Sequence, residues 1–143
     1  MGNKSKYKES LFPVAVDERF YATIWGEAAG GSAKEIAATT SVLLNRIREE
    51  GYEKALEGSS AYITKSPQYL KALKGELNLT EKTKFLFNKA VIDDLVTNPE
   101  KVKPYYFMEN LADIKKKGDP YWVGEHTDGY QDIDRQRFYY KKE

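Results

Sequence analysis

Phe20-Tyr-Ala-Thr-Ile-Trp-Gly-Glu-Ala-Ala-Gly-Gly31 is the stretch on which the reading of this chain turns. On a helical period Glu27 follows Ile24 by three residues, Thr23 by four and Phe20 by seven, so its carboxyl shares the face those residues would bury. Desolvation disfavours the charged form of a carboxyl, and the expected direction of its pKa is upward, toward what a general acid needs near neutral pH. A second reading stays open: Glu27 ends a helix and turns to water at Gly30-Gly31.

Outward from this stretch, Asp17 is placed to cap the helix that contains Glu27, and Gly30-Gly31 to stop it. Ser32-Ala-Lys-Glu35 reads as a capping box for a second helix, with the stripe Ile36, Thr40, Leu43 and Ile47 and a stop at Gly51. Only two glycines separate the helices, so they must pack directly on each other. Tyr52 to Gly58 is predicted as one helical turn, Gly58-Ser59-Ser60 as a loop, and Ser66-Pro67 as the start of a helix that ends at Gly75. Thr80 is read as the cap of the next helix, with Phe87, Val91 and Leu95 on its buried stripe and Leu86 and Ala90 beside it. Beyond Pro104, the aromatic runs Tyr105-Tyr106-Phe107 and Arg137-Phe138-Tyr139-Tyr140 favour strands that pair and close a groove. Lys115-Lys-Lys117 reads as a solvated helix end, and Gly118 to Trp122 as a loop. The expected class is α+β, predominantly helical, with a small C-terminal antiparallel sheet.

A chain of 143 residues is expected to be one domain, residues 1–143, with residues 1–12 loose. Lys plus Arg number 23 against 22 Asp plus Glu, which gives no field for gathering polyanions, so no nucleic-acid partner is expected. There is no cysteine and one histidine, His126, which excludes disulfide and thiolate chemistry and any site with two imidazoles. No cofactor and no metal site are expected, since Asp128, Asp132 and Asp134 do not match a calcium loop. No segment approaches the ~20 apolar residues of a membrane span, so no membrane insertion is expected. Met1 to Leu11 has no apolar run of the kind a secretory signal needs, which predicts a soluble product that starts in the cytoplasm. Tyrosine is abundant, with 11 residues, and suits a groove that stacks on sugar rings while bonding their hydroxyls.

Taken together these stretches resemble the cell-wall hydrolases of the SleB and CwlJ type, spore-cortex enzymes with phage relatives and a lysozyme-like fold. The family pattern runs helix, Gly-Glu-Ala, a glycine-containing turn, and a helix ending in Leu-Asn-Arg-Val. Here it reads Ile24-Trp-Gly-Glu-Ala28 and Ser41-Val-Leu-Leu-Asn-Arg-Ile47. Weaker echoes follow in order at Gln68-Tyr69, Tyr105-Tyr106-Phe107, Pro120-Tyr-Trp122 and Ile133-Asp-Arg-Gln-Arg-Phe-Tyr139. Three positions depart from the pattern: Gly31 stands where a second glutamate often follows, and Tyr105 and Gln136 stand in place of histidines.

The resemblance implies a lysozyme-like domain and a peptidoglycan lytic transglycosylase in which Glu27 is the catalytic acid and base. The bond cut would be the β-1,4 link between N-acetylmuramic acid and N-acetylglucosamine, giving a 1,6-anhydro product. A hydrolytic muramidase would want a second carboxylate, at about 5 Å if retaining or about 6.5–9.5 Å if inverting. Glu125, Asp128, Asp132 and Asp134 are the acidic residues to consider, each as readily a solvated loop residue. His126 reads more simply as a surface histidine than as a catalytic one. Gln68, Tyr69, Tyr106 and Trp122 are the expected substrate-binding residues, amides reading N-acetyl groups and rings stacking on pyranose faces. Trp25, turned about 200° from Glu27 on the helix, is expected in the core, and Asn45 in a structural bond to a neighbouring turn. The implied partner is the peptidoglycan glycan strand, met by a monomer delivered through a phage holin, within a virion, or in a spore coat. The alternative, prompted by Gly31, Tyr105 and Gln136, is a non-catalytic wall-binding or virion structural protein that keeps the fold.

Overall fold

A computed structural model describes residues 15–142. The expected loose segment 1–12 lies outside the described residues. The architecture is α+β and predominantly helical: α1 (Glu18–Ala28), α2 (Ala33–Glu50), α3 (Tyr52–Glu57), α4 (Ser60–Ile63), α5 (Pro67–Lys74) and α6 (Leu79–Thr97) precede a 3-10 turn, Pro99–Lys101. Then come β1 (Tyr105–Asn110), α7 (Leu111–Lys117), α8 (Val123–His126), β2 (Thr127–Ile133) and β3 (Gln136–Lys141). The strands form one antiparallel sheet in the order β1-β3-β2.

α2 is the central element. Its Ile36, Leu43, Leu44 and Ile47 join Phe20 and Ile24 of α1 and Ile92, Leu95 and Val96 of α6 in the main core. Its Ala38 and Val42 meet Tyr105 and Phe138 of the sheet in a second cluster. A helix covered on several sides must hide its polar residues, and here Thr39, Thr40 and Ser41 each donate a hydroxyl to the carbonyl four residues earlier, at 2.9, 2.7 and 2.9 Å. Asn45 has the structural role expected of it. Its Nδ2 donates to the carbonyls of Lys103 (2.7 Å) and Tyr105 (2.8 Å), while Ser41 Oγ accepts from the Lys103 amide (2.9 Å). These bonds fix where β1 starts, and therefore where its residues meet the C-terminal end of α1.

Several expected boundaries shift. Asp17 caps α1 by accepting from the Arg19 amide (3.0 Å), and Ser32 caps α2 through the Glu35 amide (3.2 Å). Glu35 does not reach back to complete a capping box; its carboxylate is drawn to Arg135 instead. Ser60 opens α4 where a loop was expected. α6 is capped by Asn78, not Thr80, because Asn78 and Glu81 form a reciprocal box with bonds of 2.9 and 3.0 Å. The buried face of α6 is also turned: Asn88, Ile92, Leu95 and Val96 point inward, while Leu86 and Phe87 are exposed. Among the described residues no helix is long and apolar enough to cross a membrane.

Candidate functional site

Gly26 decides how close α1 comes to its neighbours. A Cβ at this position would stand 2.6 Å from Ala61 Cβ and 3.1 Å from Ser66 Oγ, so only glycine lets α4 and α5 press against the helix here. That approach brings α4 and the residue before it onto the next side chain. Ser59 Oγ donates to Glu27 Oε2 at 3.2 Å, and the Ala61 backbone N–H also donates to this carboxyl. On the other side Gln136 Nε2 donates to the Glu27 carbonyl (3.3 Å).

Glu27 is half-buried. Burial pushes its carboxyl above the ordinary value; the bonds from Ser59 and Ala61 pull it down, and the negative charge of Glu109 pushes it further up. It opens onto a cleft of about 710 Å³ bounded by the end of α1, the middle of α2, the α3–α4 junction, β1 and the Gly118–Trp122 loop. Trp122 stands in the wall with its ring tilted 31° against Phe107 at 5.0 Å and edge-on to Tyr139 at 5.3 Å. Tyr121, 92% exposed, projects at the mouth.

Of the expected site residues, Glu27 and Trp122 share this cleft, and Gln68, Tyr69 and Tyr106 do not line it. Gln68 Oε1 accepts from Trp25 Nε1 (3.1 Å), so its amide oxygen is engaged by the core tryptophan. Tyr69 is 1% exposed and packs edge-on to Tyr62 at 5.6 Å, leaving no ring face for a sugar. Tyr106 is buried, its ring edge-on to Phe107 at 5.0 Å and its hydroxyl on Glu50 Oε2 (2.5 Å). The groove expectation is corrected for these three.

The acidic residues named from sequence also stand elsewhere. β2 is the outer strand of the sheet, farthest from β1, which removes Asp128 and Asp132 from the cleft. Asp132 is held by Arg137 Nε (2.7 Å) and Nη2 (3.1 Å), Asp134 accepts from Ser32 Oγ, and Glu125 lies 3.7 Å from His126. Glu109 and Asp113 line the cleft instead, as does His126. Glu109 was readable in principle, being two residues beyond Phe107 on the same face of β1. Among the described residues no group of three or more Asp, Glu, His or Cys side chains is placed to hold a metal ion.

Gly31 has its own explanation. A Cβ there would meet Glu35 Cδ at 3.0 Å, so the fully buried Glu35 already fills the space a longer residue would take. Arg135 Nη2 bridges Glu35 Oε2 and the Ala29 carbonyl, both at 3.2 Å, and ties the β2–β3 turn to the junction of α1 and α2. A second hollow, about 750 Å³ between α2 and α6, is wide open and holds none of these groups; on its rim Lys101 is already paired with Asp94 at 2.9 Å.

Comparison of the chain with protein-family models, with curated proteins and with solved structures found no match.

Proposed function

We propose that this protein is a peptidoglycan-degrading enzyme that cleaves the β-1,4 bond between N-acetylmuramic acid and N-acetylglucosamine as a lytic transglycosylase. The reading includes kinship with the SleB/CwlJ-type hydrolases and their lysozyme-like fold, and rests for that on Gly26-Glu27-Ala28 and Asn45-Arg46-Ile47. The observation that carries it is the half-buried carboxyl of Glu27, pushed toward its protonated form by burial, at the base of an open polar cleft with an aromatic wall.

Protonated Glu27 gives its proton to the leaving glycosidic oxygen as the C1–O bond breaks and positive charge develops on the sugar ring. The carboxylate left behind accepts from Ser59 and from the Ala61 N–H, which hold it in place for the second half of the reaction. It then removes the proton from the sugar's own 6-hydroxyl as O6 bonds to C1, which closes the 1,6-anhydro ring and restores the acid. Phe107 and Trp122 offer apolar ring surface to the pyranose faces. Delivery to the wall belongs to the same proposal, by phage holin release or carriage in a virion ahead of a spore coat.

Mass spectrometry of products from purified sacculi tests the reading. Anhydro-muropeptides from the native chain, and none from Glu27→Gln, are expected. Release of no muropeptide, or full activity in Glu27→Gln, would sink it. Products with a reducing end would keep the bond and change the mechanism to hydrolysis. Binding to insoluble peptidoglycan without turnover would favour a non-catalytic wall-binding protein.

A further inference from the structure

Arg46 stands in the cleft wall with its guanidinium fixed but not used up. Its Nε donates to Glu50 Oε2 at 3.3 Å, and its Cζ lies 5.3 Å from the centre of the Tyr106 ring and 5.5 Å from that of Phe107. Glu50 is itself held by the Tyr106 hydroxyl. The bond from Arg46 to Glu50 runs through Nε, the arginine side chain is 23% exposed, and its terminal Nη2 lies beside Gly58. The two terminal nitrogens of a guanidinium held in this way match the two oxygens of a carboxylate.

Gly58, also in the cleft wall, supports the same conclusion. Its backbone is ordinary helical, φ −78° and ψ −9°, so no conformational need calls for glycine. A Cβ there would stand 3.3 Å from Arg46 Nη2 and 3.4 Å from Cζ. The missing side chain leaves the edge of the guanidinium uncovered. The other charged groups of the wall are Glu27, Glu109 and Asp113, with His126. An anionic ligand is repelled by the carboxylates of Glu109 and Asp113 and has one permanently cationic contact, which fixes its direction in the cleft.

We infer that Arg46 is a carboxylate-binding subsite of this cleft, which takes an acidic substituent of the glycan strand. The inference rests on the proposed glycan substrate. Two sources share the chemistry: a free carboxylate of the peptide stem, and the lactyl carboxylate that muramic acid carries once its stem has been removed.

The test measures binding in the Glu27→Gln background, which removes turnover, to three probes: stem-bearing glycan strands, amidase-stripped strands, and N-acetylglucosamine hexamer, which has no carboxylate. Affinity for at least one carboxylate-bearing probe should exceed that for the hexamer by about tenfold, the scale of one charge-assisted bidentate contact. Tight binding of stem-bearing strands alone assigns the stem carboxylate, tight binding of amidase-stripped strands alone assigns the lactyl carboxylate, and tight binding of both shows that the subsite takes either. Arg46→Gln should erase the preference, so that the carboxylate-bearing strands bind no tighter than the hexamer. Gly58→Ala, which keeps the arginine and its Glu50 pair, should weaken the acidic probes several-fold with an unchanged melting temperature. Equal affinity for all three probes, or a preference that survives Arg46→Gln, overturns the inference alone. Binding of none of the three overturns it together with the proposed function.

Discussion

The side-chain amide of Gln136 donates to the backbone carbonyl of Glu27 across 3.3 Å and joins the first residue of β3 to the last turn of α1. Carbonyls in the last turn of a helix have no partner within it, so this bond satisfies an acceptor that would otherwise be stranded beside the candidate acid. Gln136→Leu should cost about 1–3 kcal/mol in stability. It should also lower kcat about tenfold at unchanged KM, because the backbone that carries the carboxyl loses one of its fixed supports. Thermal unfolding and steady-state kinetics on sacculi read the two effects separately, and an unaltered kcat would show that the bond is structural only.

Glu27→Gln is expected to remove activity by about 10²–10⁴-fold and yet to stabilise the fold at neutral pH. Burial raises the folded pKa of Glu27 above its unfolded value, so this group's contribution to stability falls as pH rises from the ordinary carboxylate range through the raised value. An amide pays no such penalty. Melting temperatures should therefore coincide at acidic pH, where both side chains are neutral, and separate in favour of the variant as the pH is raised.

Glu109→Gln removes a negative charge that opposes ionisation of Glu27. The pKa of Glu27 should fall, and with it the pH above which the proton donor is lost. The alkaline limb of the kcat/KM profile is expected to move to lower pH, while the melting temperature at neutral pH changes little. A profile that stays in place would show that the two carboxyls act independently.

Gly26→Ala places a methyl group 2.6 Å from Ala61 Cβ, well inside contact distance. Relief requires α4 to move away from α1, and overpacking of this kind costs about 1–3 kcal/mol. The same movement pulls Ser59 and the Ala61 N–H from Glu27, so kcat should fall further than the loss of folded protein accounts for. Denaturant unfolding and kinetics on the same preparation separate the two.

Much of the helical frame is legible in the residues because its signals are local. Asp17, Ser32, Ser66-Pro67 and Gly75 do in the structure what their chemistry suggests, since a cap involves only the turn beside it. Glu27 is legible for a related reason: Phe20, Thr23 and Ile24 of its own helix are all buried. α6 misleads because it carries apolar residues around its circumference. Leu79, Leu86 and Phe87 offer one stripe and Ile92, Leu95 and Val96 another, and only docking on α1 and α2 selects the second. β2 is missed because its Asp128, Gly129 and Asp132 read as a loop, whereas an exposed outer strand tolerates them. The tyrosines are least legible, because a ring with a hydroxyl suits a groove and a core equally. Tyr69 and Tyr106 went to the interior through partners distant in sequence.

The two tryptophans of the chain sit in unlike surroundings, Trp25 sealed in the interior on Gln68 and Trp122 at the cleft wall beside Phe107. Indole emission follows the polarity around the ring. The unlabelled molecule therefore carries two optical reporters: one shifts to the red when the chain unfolds, and the other changes intensity when something settles against Trp122.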